Sequence, residues 1–195
     1  MKTFLIALGL IAGVSSAQAI TIDKSHDTLI IKGDIKVGDS LLLRDVLEAN
    51  KNIKTIELSS DGGEIAAAVP LARLIRDHKL NTLVDGRKDG CFSACMALFL
   101  AGVKRTYLTK GMHNERDDPE LGLGFHQSSV TEDVVFTAKG IKFNHTVDSP
   151  AGNGEMNYLY NEFGCPNAYQ FMFKAKWYSM YVLSSKEAVD NGIVN

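Results

Sequence analysis

The most constraining stretch of this chain is Cys91-Phe92-Ser93-Ala94-Cys95-Met96-Ala97-Leu98-Phe99-Leu100-Ala101-Gly102, where a serine precedes an unbroken apolar run. From Ala94 to Ala101 the run is far shorter than the ~20 residues of a membrane-spanning helix, so it must bury itself in a folded core. Downstream, Gly124-Phe125-His126-Gln127 closes a strand-like segment on a histidine. Upstream, Leu58-Ser59-Ser60-Asp61-Gly62-Gly63 ends another strand on a glycine pair. A serine, a histidine and accessible backbone amides are the parts that a nucleophilic acyl-transfer site requires.

The N-terminus reads as an export signal, with Lys2 as the positive start, Phe4 to Val14 as the apolar segment and Ala17-Gln18-Ala19 as a small-x-small cleavage site. A membrane anchor is the alternative, but the apolar segment is too short. The expectation is cleavage after Ala19, leaving Ile20 to Asn195 as a single domain in the periplasm or outside the cell. The whole chain carries a formal charge of -2, with no basic run and no interleaving of basic and aromatic residues. Nucleic acid is therefore not an expected partner. Three cysteines, Cys91, Cys95 and Cys165, predict one disulfide and one free thiol in an oxidising compartment. A bridge from Cys91 or Cys95 to Cys165 is expected, because either would brace the segment around Ser93. A redox-active pair is disfavoured by the C-x3-C spacing.

Hydrophobic periodicity predicts strands at Thr28–Lys32, Ile53–Leu58, Asn81–Val84, Arg105–Leu108 and Leu121–His126. It predicts helices at Ser40–Ala49, capped by Asp39 or Ser40, and at Glu64–His78, with Ala67, Leu71, Leu74 and Ile75 on one face. Ala94–Ala101 reads as a buried helix. Val134–Phe136 is a further strand candidate, Asp148–Gly154 reads as a loop, and Glu155–Phe163, Asn167–Tyr181 and Ser185–Asp190 read as helices. The alternation argues for an α/β fold with a mainly parallel sheet and crossover helices.

Taken alone, a serine before a helix is usually only a cap, and a glycine pair only a tight turn. Among the five histidines, His78 falls at a solvated helix end, while His26 and His145 have polar surroundings. His126 ends an apolar strand, where loops at the carboxyl edge of a parallel sheet gather functional groups. By itself a buried structural histidine is the simpler reading. No metal-ligand spacing or nucleotide motif is present, so no cofactor and no metal are expected. The G-x-S-x-G elbow is absent, since Gly90 stands three residues before Ser93 and Cys95 two after.

Taken in order, these segments resemble the proteolytic subunit of the Clp protease and the wider ClpP/crotonase superfamily, in particular an exported ClpP-like serine protease branch with a serine between two cysteines. Ser60-Asp61-Gly62-Gly63 is similar to the family's Ser-Pro-Gly-Gly, and Gly124-Phe125-His126-Gln127 to its Ile-His-Gln. The Leu183–Asn195 ending is similar to the family's Met-Ser-Ala-x-Glu-Ala-x-x-Tyr-Gly-Leu-Val-Asp. The resemblance implies a β-β-α spiral, with Ser93 as nucleophile, His126 as base, and the amides of Gly62 and Ala94 as an oxyanion hole. It also implies peptide or unfolded-protein substrates and allows a homo-oligomer. No ATP-driven unfoldase is expected outside the cytoplasm. The position of the family's triad aspartate is Met180. Another acceptor for His126, a Ser-His dyad, or a catalytically inactive peptide-binding protein are the open consequences. Lys104 and Lys110 are available for a Ser-Lys pair but carry no motif. An acyl-CoA enzyme of the crotonase type shares the oxyanion logic but conflicts with export.

Overall fold

The computed structural model describes residues 19–112, 120–136 and 141–195. All but the last residue of the expected export signal lie outside them. Strand β1 (Thr21–Ser25) turns at His26, whose φ is 56°, into the antiparallel β2 (Thr28–Lys32). Helix α1 (Asp39–Ala49) follows, then β3 (Thr55–Ser59), α2 (Ile65–Asp77), β4 (Asn81–Asp85), β5 (Gly90–Phe92), α3 (Cys95–Ala101) and β6 (Arg105–Leu108). After β7 (Gly122–Phe125) come the paired strands β8 (Ser129–Phe136) and β9 (Ile141–Asp148). The chain ends with α4 (Pro150–Glu162), α5 (Tyr169–Met172), β10 (Tyr181–Val182) and α6 (Ser185–Asp190).

The main sheet has the order β1-β2-β3-β4-β6, and every pair beyond the first hairpin is parallel. Parallel neighbours need crossovers, and α1 and α2 supply two of them. Alternate residues of these strands, Leu29 and Ile31, Ile56 and Leu58, Thr82 and Val84, are buried; the apolar ones lie in one core with the helices. A smaller sheet, β10-β7-β5, leaves the main one where Ser60 bridges Cys91. Helix α3 is buried at all seven positions, which is why its sequence is apolar on every side.

Helix α2 matches its periodic face, with Ala67, Leu71 and Ile75 inside and Arg73 exposed. Three expectations fail nearby and downstream. The N-cap of α1 is Gly38, and Asp39 is the first helical residue, its carboxylate accepting the Lys36 N–H at 2.7 Å. Asp148–Gly154 is not a loop, because α4 begins at Pro150. Ser149 caps that helix by accepting the Gly152 N–H at 3.1 Å, and Pro150 is pre-set for the first helical position. Gly152 is there for proximity: a Cβ would sit 3.0 Å from both Ile65 Cδ1 and Ser128 Cβ. The long helix expected over Asn167–Tyr181 is also absent. A 3-10 turn at Pro166–Ala168 and α5 give way to turns, since Phe171 and Tyr181 are inside while Phe173 and Tyr178 are exposed, in no helical stripe.

Candidate active site

Ser93 sits in the two-residue elbow between β5 and α3 with φ at +56°, in the left-handed region. That conformation costs a non-glycine residue roughly 1–2 kcal/mol, so the surroundings must hold it. Its N–H donates to Gly124 O on β7 at 3.0 Å, and its carbonyl accepts the Met96 N–H at 3.0 Å as α3 begins. Ser93 is thus not the helix cap; Ala94 holds that position and makes no side-chain cap bond.

The glycine pair lies directly against this elbow. Gly62 has φ +105°, and a Cβ there would stand 2.8 Å from Ser93 Cβ and 3.0 Å from Ala94 N. Only glycine permits that approach. The Gly62 N–H, however, is engaged, donating to Ser60 Oγ at 3.1 Å. The adjacent Gly63, with φ +139°, is exposed and borders the cavity described next. Among the described residues, neither the Gly63 nor the Ala94 N–H has a hydrogen-bond partner. The available donors of the turn and the elbow are therefore Gly63 and Ala94, with Gly62 supplying the close packing.

His126 follows β7 directly. It borders the same cavity of about 550 Å³ as Ser93, Ala94 and Gly63. Among the described residues no hydrogen bond joins His126 to Ser93. Burial lowers the ring's pKa below the ordinary 6.5, and the backbone of Trp177 acts in the opposite sense. That backbone group makes no hydrogen bond of ordinary geometry with Nδ1, which is buried without a partner. The segment after His126 is pinned by Asn153, whose Oδ1 accepts the Ser128 N–H at 2.7 Å. One part of the cavity wall is apolar, formed by Ile65, Phe125, Met156, Tyr160 and Met172, while Asp34, Lys36, Glu64 and Glu155 bring charged side chains to it. Among the described residues no group of three or more His, Cys, Asp or Glu is placed to hold a metal ion.

No protein-family model matches the sequence, and no curated protein matches it. Solved structures do. ClpP1 from Listeria monocytogenes superposes with a TM-score of 0.53 at 18% identity, over 87% of this chain and 89% of that one. A point mutant of the same ClpP1 gives 0.55 at 21% identity, over 87% and 90%. A point mutant of the membrane-bound stomatin-specific protease 1510-N gives 0.53 at 14% identity, over 85% and 75%. The chain has the ClpP/crotonase fold.

Within this ClpP-like fold two further positions bear on the site. Tyr181 pairs with Phe125 and Val182 with Gly124, so the register carried one residue further sets Met180 across from His126. The Met180 side chain lies over Gly124, where a Cβ would meet its Cγ at 2.7 Å and its Sδ at 2.9 Å. The position aligned with the family's aspartate thus carries a thioether that packs on Gly124. The expected disulfide to Cys165 is overturned: Cys91 is bonded to Cys95, with Cα atoms 5.3 Å apart, and Cys165 is a buried free thiol. The turn from β5 into α3 folds the C-x3-C segment back on itself, while Cys165 lies beyond α4 with its thiol near the Phe163 carbonyl. Sequence reasoning missed Gly63 as the available amide and Asn153 as the pin. Asn153 fell in a stretch read as loop, which gave no inward direction.

Proposed function

We propose that this chain is an exported serine hydrolase, a peptidase acting on peptides or unfolded segments. The observation that carries it is the cavity shared by Ser93, His126 and the two available amides. Ser93 Oγ attacks the acyl carbon, and His126 Nε2 takes its proton and returns it to the leaving amine. The Gly63 and Ala94 N–H groups receive the oxyanion. The neutral imidazole favoured by burial suits a base, and the hydroxyl–imidazole hydrogen bond that the step needs forms when substrate binds. The apolar wall suits an extended peptide with an aliphatic or aromatic side chain entering beside Ser93. Export follows from the charged start, apolar segment and Ala17-Gln18-Ala19, with Ile20 as the mature N-terminus.

A catalytically silent peptide-binding protein is the second reading, favoured by the unpartnered Nδ1 of His126 and by Met180. Fluorophosphonate labelling of the purified mature protein separates the two, with Ser93→Ala as the control. Labelling that disappears in Ser93→Ala supports the hydrolase. An unlabelled wild-type protein that still retains peptides in an equilibrium binding assay supports the silent binder.

A further inference from the structure

The Cys91–Cys95 disulfide spans the one residue whose backbone is held in a strained conformation at the site. One leg is fixed to the sheets: Cys91 pairs with Leu123 of β7 and bridges Ser60, and the flanking Phe92 N–H donates to Ser60 O at 3.0 Å. Ser60 in turn accepts the Gly62 N–H, so this leg also sets the glycine turn against Ser93. The other leg is fixed to the core, because Cys95 is the first residue of the wholly buried α3. Between the legs only Phe92, Ser93 and Ala94 remain. Among the described residues no side chain caps the start of that helix. A non-glycine residue left to itself relaxes out of the left-handed region.

We propose that the Cys91–Cys95 bridge is the positioning device for Ser93: it keeps the elbow left-handed, aims Oγ into the cavity with the Ala94 N–H beside it, and makes the site fully competent in the oxidised protein only. The proposal rests on the reading of Ser93 as a nucleophile. Both cysteines are fully buried, so the bridge is sheltered from reductants while the fold is closed. When it is opened by a dithiol, two electrons and two protons pass from the reductant's thiols to the S–S bond. This leaves two cysteine thiols and the reductant's own disulfide. The elbow then relaxes, and a displacement of about 1 Å at a reacting atom lowers the rate by as much as about 100-fold.

The test compares oxidised wild-type protein with the Cys91→Ser/Cys95→Ser double variant. Near-UV circular dichroism verifies the fold, and fluorophosphonate labelling gives the saturating rate and the half-saturating concentration separately. The expected result is a folded variant whose saturating rate is roughly 10- to 100-fold lower, with half-saturation little changed. Wild-type protein reduced with dithiothreitol while its near-UV spectrum persists should lose the same factor and recover it on reoxidation. A folded variant or reduced protein that labels at the wild-type rate overturns the proposal and leaves the hydrolase reading standing. Loss of the fold in both overturns a selective positioning role. Oxidised wild-type protein that does not label overturns the hydrolase reading, and this proposal with it.

Discussion

Burial holds the His126 ring below the ordinary imidazole value of 6.5, against an upward push from the Trp177 backbone. The ring is therefore neutral near pH 7. The unfolded chain binds a proton there more readily than the folded one, so the stability this histidine contributes is present above its unfolded value of about 6.5. It is lost as the pH falls through the lower folded-state value. The labelling rate of Ser93, followed from about pH 5 to about pH 8, should show an acid limb below 6.5. A limb above that value would contradict a buried ring with no anionic partner. Met180 provides the complementary test. In a triad enzyme the loss of the carboxylate can lower the rate by about 10⁴, because it orients the imidazole and stabilises its charged form. Met180→Asp places a carboxylate across the strand from His126. It should raise the histidine's pKa, moving the acid limb upward, and raise the labelling rate by roughly 10-fold or more. An unchanged limb and rate would mean that the substituted side chain does not reach the ring.

Among the elements, α6 shows how a short helix is fixed where the chain returns to the small sheet. Ser184 accepts the Glu187 N–H at 3.1 Å, and Glu187 accepts the Ser184 N–H at 3.1 Å, a reciprocal cap. The same glutamate accepts the Tyr181 hydroxyl at 2.6 Å, and Lys174 donates to that hydroxyl at 3.0 Å, so the cap also ties β10. Ser184→Ala should lower stability by about 1–2 kcal/mol, measured by urea unfolding, with the upper end expected because Ser184 is 1% exposed. The S-x-x-E spacing that makes this cap is visible in the sequence, as are the apolar faces of α2 and the alternating strands. The body of α4 was visible as the helix expected from Glu155, but its first residues, Pro150 to Gly154, were not, since Gly152 and Gly154 are poor helix formers. Its start depends on the Ser149 cap, and its glycine on the approach of Ile65 and Ser128. Strand β5 escaped notice because three residues show no periodicity and are defined only by pairing with β7.

At the scale of the molecule, the candidate site gathers the elbow after β5, the turn after β3 and the residue after β7. The order of these segments was legible because Gly62-Gly63 and His126 each end an apolar strand and Ser93 opens an apolar helix. Which amide is available and which cysteines pair were not legible, because register and packing between distant segments decide them. The β8–β9 hairpin is the element least tied to this assembly. Its strands pair residue for residue from Ser129 with Asp148 to Phe136 with Ile141, and they join the body where the Ser149 N–H donates to Ser128 O at 2.8 Å. Among the described residues, its contacts with other elements outside its own pairing are few. An isolated two-stranded hairpin adds little stability in water. Among the described side chains of the hairpin, Ser129 and Val130 at its base border the cavity. Replacing residues 131–146 by Asn-Gly, which joins Val130 to Val147 through a tight turn, should move the thermal midpoint by less than about 3 °C, equivalent to about 1 kcal/mol for a chain of this size. The labelling rate of Ser93 should stay within about 3-fold of wild type, because the cavity wall and the Asn153 pin are untouched. A large fall in the midpoint would make the hairpin part of the stabilising core. An unchanged midpoint with a much lower rate would instead assign it to shaping the site.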